Sequence, residues 1–390
     1  MALMRDLKRD LERHLEPDPQ FASSLGDRWR AIRDGLLSSR RFQRWAAAFP
    51  LTRPIARRRA ADLFDLCAGF VYSQVLLACV KLKLFALLQA GPLTTAALAA
   101  RLSLPLDGTI VLLEAAAALG LLERRGQGQF GLGPLGAAML GNPGIAAMVE
   151  HHAALYADLA DPVGLLRGDA RDRRLARYWP YAGEAPREEL TREAVSPYTA
   201  LMSVSQPMVA EMVLGAYSFA RHHRLLDVGG GDGSFLIAVA RQATGPQFDL
   251  FDLPQVAEIA RERISAAGLG GRISVTGGDF LSDPLPRGAD VVSLIRVVHD
   301  HDDDVVLRLF ANVRDALPSG GVLVIGEPMS GPGGDDSVGA YFGVYLHAMG
   351  RGRPRSFAAL QKLLERSGFS DVRPKPTRIP LIASVIVARR

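Results

Sequence analysis

Two patterns of apolar residues divide the chain near residue 216. Before that point, apolar side chains recur at helical spacing, as they do between residues 63 and 84. Beyond it, short runs rich in β-branched residues alternate with helical segments. The runs lie at residues 225–228, 248–251, 273–275, 291–295, 322–325, near 372 and at 381–388. This alternation predicts an α/β domain whose parallel sheet is wrapped by helices, with the last two strands pairing as an antiparallel edge.

The part before residue 216 is predicted to be mainly helical. Prolines 17, 19, 50 and 54 interrupt the pattern of the first 60 residues and indicate an arm of two helices, and prolines 162, 180, 186 and 197 break the stretch before the sheet. A buried helix pair at 61–88, helices at 93–102 and 105–122, and a wing at 127–132 resemble a winged helix. We therefore expect a basic helical arm, a winged-helix-like domain, connecting helices with a substrate lid, and the α/β domain, at 1–60, 61–145, 146–215 and 216–390.

Composition indicates a folded cytoplasmic protein. The chain has 390 residues, of which 48% are hydrophobic, enough for a sizeable core. No apolar run reaches the roughly 18 uninterrupted residues that a membrane-spanning helix needs. The two cysteines, Cys67 and Cys79, lie in apolar surroundings, which predicts buried free thiols and no disulfide framework.

Positive charge is concentrated in the arm. Residues 1–60 hold 13 Arg and one Lys against seven Asp and Glu, a net +7 in a chain whose total is +5. The arm also carries Trp29, Trp45 and Phe49. Such a segment could contact anionic lipid headgroups or nucleic acid, or it could be a solvated helical arm that packs on a partner subunit.

A glycine-rich turn follows the first strand of the sheet. Asp227 ends that strand, and Gly229, Gly230, Gly231 and Gly233 lead into the next helix. Glycines so closely spaced indicate a backbone that a ligand approaches closely. The spacing is G-x-G-x-G and not the dinucleotide pattern, so an adenosyl amino acid fits this turn better than a pyrophosphate.

Two further acidic residues follow the next strands. Asp252 lies 19 residues after Gly233, close to the spacing at which such folds place the acid that binds ribose, although it could equally cap the helix before Pro254. Asp279 follows the third strand and could accept from an adenine amino group, with Phe280 packing on the ring. Because the carboxyl ends of parallel strands meet at one edge, these residues predict a single cofactor crevice.

A histidine follows the fourth strand. His299 is well placed as a general base beside the predicted crevice. The acidic run that begins at Asp300 is interpreted as a solvated helix start and not as a metal site, because acids there favour the helix dipole.

At these places the chain resembles the plant-type S-adenosylmethionine-dependent O-methyltransferases and their bacterial relatives. The matching blocks are 226–231, 251–256, 278–280, 295–303 and the winged helix at 93–132. The resemblance implies a Rossmann-like methyltransferase domain after an α-rich, winged-helix dimerisation domain, and hence a homodimer. It implies a base at His299 oriented by Glu327. The expected S-adenosylmethionine-binding residues are Asp227, Gly229, Gly231, Asp252, Leu253, Asp279, Phe280 and Arg296.

The chain departs from the plant pattern at three places. Arg296 replaces the usual Lys, His301 replaces an aromatic residue, and the second acid near the substrate is replaced within 352–355. The arm and residues 64–74 look like those of the carotenoid 1-hydroxy O-methyltransferases of purple photosynthetic bacteria. That likeness implies methylation of hydroxylated acyclic carotenoids such as hydroxyneurosporene and demethylspheroidene, with peripheral contact to the inner or intracytoplasmic membrane.

Two alternatives stay open at this stage. The acceptor could be another apolar molecule, such as a phenolic metabolite or a bacteriochlorophyll precursor, and residues 341, 342, 345, 347 and 349 could line its pocket or belong to the core. In the other alternative the chain is a winged-helix DNA-binding regulator. Its recognition helix at 105–119 contains no Arg or Lys, which disfavours contact with phosphates, so no nucleic-acid partner is expected.

Overall fold

The computed structural model describes residues 25–169, 173–179, 190–331 and 336–390. These residues divide into two compact units, one ending at Ala78 and the other running from Cys79 to Arg390. The predicted breaks at prolines 17, 19, 180 and 186 lie outside the described residues. The predicted division into four domains stays a prediction.

The described part of the first unit, residues 25–78, is helical. Its helices are α1 (Leu25–Ser38), α2 (Arg40–Ala48) and α3 (Arg53–Lys81), the last of which continues into the second unit. Ser39 caps α2 by accepting from the amide of Phe42. Pro54 lies in the first turn of α3, where its missing N–H removes no helical hydrogen bond. Consequently α3 runs without a break across the boundary predicted between residues 60 and 61.

The apolar face of α3 is exposed, which corrects the prediction of a buried helix pair. Leu63, Phe64, Leu66 and Phe70 are all more than 60% exposed, and Cys67 is exposed as well. The predicted helical period is correct, but a period does not show whether the apolar face is covered by the same chain or by another molecule. Only Cys79 is a buried thiol, and burial raises its pKa to about 12.

Helix α3 also corrects the expectation that no segment could span a membrane. Its most apolar 18-residue window has a mean hydropathy of 1.8 with at most two charged residues, and 11% of the window is buried. The sequence criterion demanded an uninterrupted apolar run and therefore missed this helix. By length and composition alone it could cross a bilayer, and a helix whose face is covered by another protein has the same composition.

The winged-helix arrangement is present in the second unit. Strands β1 (Leu93–Thr94), β2 (Leu122–Arg125) and β3 (Gln129–Leu132) form an antiparallel sheet in the order β1-β3-β2. The short helix α4 (Leu84–Leu87) precedes this sheet, and α5 (Thr95–Leu102) and α6 (Leu106–Ala118) lie between β1 and β2. Leu93 and Thr94 belong to a strand and not to the predicted helix, because Thr94 caps α5 by accepting from the amide of Ala97.

Among the described residues, five helices lie between the winged helix and the large sheet. They are α7 (Pro134–Leu140), α8 (Pro143–Asp158), α9 (Pro162–Arg167), α10 (Arg174–Tyr178) and α11 (Arg192–Ala216). Pro197 was expected to break this region but lies inside α11. The buried side chains of Val195, Leu201, Val209 and Val213 fix α11 by packing, which outweighs the helix-breaking tendency of proline.

The large sheet has seven strands in the order β6-β5-β4-β7-β8-β10-β9. The strands are β4 (Arg224–Val228), β5 (Gln247–Asp252), β6 (Ile273–Gly277), β7 (Val291–Ile295), β8 (Val322–Glu327), β9 (Ser370–Lys375) and β10 (Ser384–Arg389). The helices that cover it are α12 (Ser234–Gln242), α13 (Pro254–Ala266), α14 (Asp303–Ala316), α15 (Asp336–Met349) and α16 (Phe357–Arg366). This confirms the predicted Rossmann-like domain.

The last two strands differ from the prediction in their position. They pair antiparallel as expected, but β10 is inserted between β8 and β9, so only β9 lies at the edge. Val385 and Ile386 of β10 are buried, because helices cover both faces of the sheet at that point. The strand order reverses between β4 and β7, and this switch point opens a crevice at the carboxyl ends of the strands.

Candidate active site

A cavity lies at the carboxyl ends of β4, β5 and β7, where open α/β sheets bind ligands. Most of the predicted cofactor residues meet there. From the sheet side the cavity is lined by residues 229–232, Asp252, Leu253, Phe280, residues 295–297, Asp300 and His301.

The glycine-rich turn after β4 needs glycine for two different reasons. Gly229 has a φ of +70°, and a Cβ there would lie 2.7 Å from a methyl carbon of Val297. Gly231 has a φ of +59°, and open space surrounds the place where its Cβ would be. The first glycine thus permits tight packing against the neighbouring loop, and the second leaves backbone open to the cavity.

Asp252 holds this turn from the neighbouring strand. Its Oδ2 accepts from the amide of Gly231 at 2.7 Å, and its Oδ1 accepts from the amide of Leu253 at 2.7 Å. Burial raises the pKa of Asp252 to about 6 despite these two hydrogen bonds. A carboxylate with remaining acceptor capacity therefore lines the cavity, where the sequence predicted a ribose-binding acid.

Asp227 lies beneath the turn and does not line the cavity. It is 1% exposed, and its Oδ1 accepts from the hydroxyl of Ser293 at 2.5 Å. Burial raises the pKa of Asp227 to about 7, and the nearby charge of Asp252 adds to the increase. A Cβ at Gly230 would lie 2.8 Å from Asp227 Oδ2, so the carboxyl group packs directly against the loop backbone.

The predicted pair after β6 is divided between two positions. Phe280 lines the cavity, and its ring centroid lies 5.5 Å from that of His301, which also lines it. Asp279 is placed in the adjoining turn, where its Oδ1 accepts from the amide of Leu281 at 2.9 Å. The structure therefore brings the aromatic member to the cavity and uses the acidic member to shape the turn.

Arg296 occupies a strained position at the exit of β7. Its φ is +58°, unusual for a residue with a Cβ. Its Nη1 donates to the hydroxyl of Ser205 at 2.7 Å and its Nη2 to the carbonyl of Met202 at 3.0 Å, which ties α11 to the sheet. Burial lowers the pKa of Arg296. Its Nε is buried without a hydrogen-bond partner among the described residues, so one donor of this cavity-lining cation is unused.

One face of α11 forms the opposite wall of the cavity, within the stretch where a substrate lid was expected, although none of its lining residues was predicted. The lining residues from this helix are Tyr198, Thr199, Met202, Ser203 and Gln206. Trp179 also lines the cavity, and its ring centroid lies 4.0 Å from the ring centroid of Tyr198. Arg263 fixes the end of the wall by donating to Ser203 at 2.6 Å and to Asp232 at 2.5 Å. The helical spacing of these lining residues was the available sequence signal.

His299 lies between two carboxylates, just behind the cavity lining. Its Nδ1 and its backbone amide approach Oε2 of Glu327 at 3.2 and 3.1 Å, and its Nε2 lies 3.2 Å from Oδ1 of Asp300. Burial alone would lower the pKa of His299, but the charges of Asp300 and Glu327 outweigh burial and the pKa is raised. The structure thus brings together the two residues predicted to be catalytic, and Glu327 is completely buried.

Asp300 is the residue of this group that sequence reasoning missed. The run that begins with it was interpreted as a solvated helix start, and residues 303 and 304 do begin α14. Asp300 instead ends a short 3-10 turn, lines the cavity and has an 11% exposed side chain. Burial raises the pKa of Asp300 to about 6, while the neighbouring His299 lowers it. Its position next to a candidate base was the signal that could have identified it.

The aromatic residues of α15 form a layer beside the cavity. Tyr341 and Tyr345 bond through their hydroxyls to Nε2 of His152 and of His151, at 2.6 and 2.7 Å. Met349 is the member of the predicted set that lines the cavity, and it also packs in the same buried cluster as Tyr345. Met349 therefore both lines the cavity and belongs to the core, while Tyr345 belongs to the core.

Two protein-family models match consecutive parts of the chain. Residues 156–370 match the O-methyltransferase domain, and residues 64–142 match the O-methyltransferase dimerisation domain. The second match includes most of the exposed apolar part of α3. It supports a homodimer and accounts for an apolar helix face that one chain leaves uncovered.

Individual relatives agree with this family assignment. The chain is 47% identical over 359 residues to the demethylspheroidene O-methyltransferase of Cereibacter sphaeroides, covering 91% of this chain and 93% of the relative. It is 42% identical over 342 residues to the protein of that name from Rhodobacter capsulatus, covering 87% and 85%. The crystal structure of human N-acetylserotonin methyltransferase in complex with S-adenosylmethionine aligns with a TM-score of 0.70 and 26% identity, over 85% of this chain and 97% of that one. The protein therefore belongs to the family of S-adenosylmethionine-dependent O-methyltransferases.

Proposed function

We propose that this methyltransferase acts on the 1-hydroxyl group of hydroxylated acyclic carotenoids. The observation that carries the proposal is the arrangement of His299, Glu327 and Asp300 at the edge of the cavity that the glycine-rich turn and Asp252 line. The carotenoid acceptor is supported by the two similar bacterial proteins named demethylspheroidene O-methyltransferase.

The residues present fit S-adenosylmethionine. Open space at Gly231 lets the ligand approach the backbone, Asp252 offers acceptors for the ribose hydroxyls, and Phe280 offers a ring face for adenine. Arg296 brings a cation to the cavity lining, which suits a carboxylate such as that of the methionine part. When bound, the cofactor supplies an electrophilic methyl group on a sulfonium.

His299 is assigned as the base that accepts the proton of the acceptor hydroxyl. Glu327 fixes the ring through Nδ1, and Asp300 lies beside Nε2, so both carboxylates stabilise the imidazolium that forms. An alcohol holds its proton far more tightly than a histidine, so proton removal accompanies formation of the new carbon–oxygen bond. Positioning of the hydroxyl in a dry crevice then contributes much of the acceleration.

The walls of the cavity suit an apolar acceptor. Trp179, Tyr198, Met202 and Met349 give it aromatic and thioether surfaces. The winged helix is not suited to nucleic acid, because the residues that α6 exposes include Leu106, Ile110 and Val111. These surfaces favour a small apolar acceptor over the DNA-binding alternative.

A carotenoid acceptor dissolves in the bilayer, so we place this protein in the cytoplasm in peripheral contact with a membrane. The arm has suitable chemistry: Trp45 stacks on Phe49 at 5.1 Å, and both rings are more than a third exposed. Arg40 and Arg44 lie on the same short helix α2. Aromatic and basic residues on one short helix are typical of interfacial membrane binding.

Acceptor specificity gives the first prediction. Purified protein with labelled S-adenosylmethionine should transfer label to 1-hydroxy acyclic carotenoids, because the cavity offers an apolar wall beside the base. The same carotenoid without the hydroxyl group is the control and should gain no label. Transfer to phenols or tetrapyrroles in the absence of any transfer to carotenoids would show that the acceptor is wrong and leave the family assignment intact.

The base assignment gives the second prediction. His299→Gln should lower kcat by about 10²- to 10⁴-fold, the contribution typical of a general base, without weakening cofactor binding measured by calorimetry. A base must be neutral, and a raised pKa keeps His299 protonated to a higher pH. Wild-type kcat/KM should therefore decline on the acid side at a pH above the ordinary histidine value of about 6.5.

The control for this variant is His222→Gln. His222 precedes β4 at the opposite edge of the sheet, where it contacts Asp290 at 2.8 Å, and its replacement should leave kcat unchanged. Full activity of His299→Gln would remove the base assignment.

Membrane contact gives the third prediction. Replacement of Arg40, Arg41 and Arg44 by Gln should reduce sedimentation with anionic phosphatidylserine vesicles, because each basic residue near such a surface contributes about 1 kcal/mol. Replacement of Lys362, Arg373 and Arg378 by Gln removes the same charge from the second unit and serves as the control. Equal vesicle binding by both triple variants would mean that the arm is a packing element.

A further inference from the structure

We propose that Arg355 is a positioning residue for His299, acting by holding the backbone on both sides of it. Arg355 is 2% exposed. Its Nη1 donates to the carbonyl of Val298 at 2.8 Å, and its Nη2 donates to the carbonyl of His301 at 2.6 Å. One rigid guanidinium therefore fixes the residues immediately before and after the pair His299–Asp300.

The positive charge of Arg355 is neutralised by the carboxylate of Asp303. Its Nε and Nη2 lie 2.9 and 2.7 Å from Oδ1 of Asp303, at the start of α14. A planar fork with five donors can reach two carbonyls and a carboxylate at once, whereas a lysine ammonium on its flexible stem acts as a point charge. The site is thus specific for arginine and not merely for a cation.

The backbone before Arg355 packs against the same loop. The amide of Arg353 donates to the carbonyl of His299 at 2.9 Å. Gly352 has a φ of +79°, and a Cβ there would lie 2.3 Å from that carbonyl oxygen and 2.6 Å from the carbonyl carbon of Asp300. Only glycine lets the two segments approach this closely. The segment 352–355, where the sequence analysis found an acid replaced, is therefore a clamp on the loop that carries the base.

The clamp also reaches the strand exit that carries Glu327. The amide of Ser330 donates to the carbonyl of Arg355 at 3.1 Å. The chain from Glu327 to Ser330 and the loop around His299 are thus fixed to one residue. The contacts of His299 with its two carboxylates measure 3.1 to 3.2 Å, at the long end of the hydrogen-bonding range, so a small displacement of the loop weakens them.

This inference rests on the assignment of His299 as the base, and it predicts a loss of rate without a loss of cofactor. Arg355→Met should lower kcat about 100-fold, since a misplacement of about 1 Å can cost that much, and Arg355→Lys should also be impaired. Calorimetry should show S-adenosylmethionine affinity unchanged. Arg378→Met is the control: its side chain is 79% exposed, 3.7 Å from Glu211 and outside the clamp, and kcat should stay at the wild-type value.

The pH profile separates positioning from a merely structural role. His299 faces Asp300, Glu327, Arg296 and the ring of Phe342, and the two carboxylates are what raise its pKa. When the clamp is lost, the ring moves away from them, so the acid limb of kcat should shift to lower pH in both Arg355 variants. If Arg355→Met does not fold, the same measurements of kcat, S-adenosylmethionine affinity and pH profile on Arg355→Lys test the proposal.

A double variant separates the failure of this inference from failure of the base assignment. In the His299→Gln background, Arg355→Met should lower the residual rate no further, because the clamp acts through His299. Wild-type kcat in a folded Arg355→Met variant, an unshifted acid limb, or a full additional loss in the double variant would overturn the clamp. Full activity of His299→Gln alone would instead overturn the base assignment.

Discussion

The structure depends on the cost of burying charged carboxyl groups at one edge of a sheet. Asp227, Asp252, Asp300 and Glu327 all lie at the carboxyl ends of neighbouring strands, largely removed from water. An unpaired carboxylate in such surroundings is very unfavourable, so each one requires donors from the surrounding chain. The pKa values of the three aspartates are raised to between about 6 and about 7, which shows that the donors compensate this cost only in part.

The local sequence around the crevice follows from that requirement. Glycine at 231 brings a backbone amide to Asp252, and Ser293 brings a hydroxyl to Asp227. Glu327, the most deeply buried of the four, receives the amide and ring of His299. Part of the free-energy cost of burying these carboxylates is not offset by hydrogen-bond donors. A carboxylate with unused acceptor capacity can bind a hydroxyl donor or stabilise an imidazolium, and this makes the site chemically useful. The proposed clamp by Arg355 holds the loop of His299 near Asp300 and Glu327. The charge of Arg355 is itself neutralised by Asp303.

The sequence predicted well those features that depend on local pattern. Alternating apolar runs predicted the parallel strands, and the glycine spacing after Asp227 predicted the tight turn that lines the cavity, because backbone conformation there is a local property. The pairing of His299 with Glu327 could be expected only from family resemblance, since the two residues are 28 apart in the chain and meet through the order of the strands.

Features that depend on packing between distant segments could not be predicted. Asp300 and Asp303 belong to one acidic run, yet one is buried beside His299 and the other begins a helix, a difference set by the fold around them. The exposed face of α3 has the same periodicity as a buried helix, so pattern alone could not reveal that its cover lies outside the single chain. Likewise, Pro197 stays inside a helix because tertiary packing opposes its intrinsic tendency.

The central claim is that two buried carboxylates hold His299 as a base with a raised pKa. Its most direct test is an NMR titration of the imidazole in protein labelled with ¹⁵N-histidine, with the His299 signal assigned by its absence from His299→Gln. The account predicts a pKa above the ordinary value of about 6.5 and a lower value in Glu327→Gln, where one carboxylate is lost. A wild-type pKa below 6.5, or one that does not change in Glu327→Gln, would contradict it.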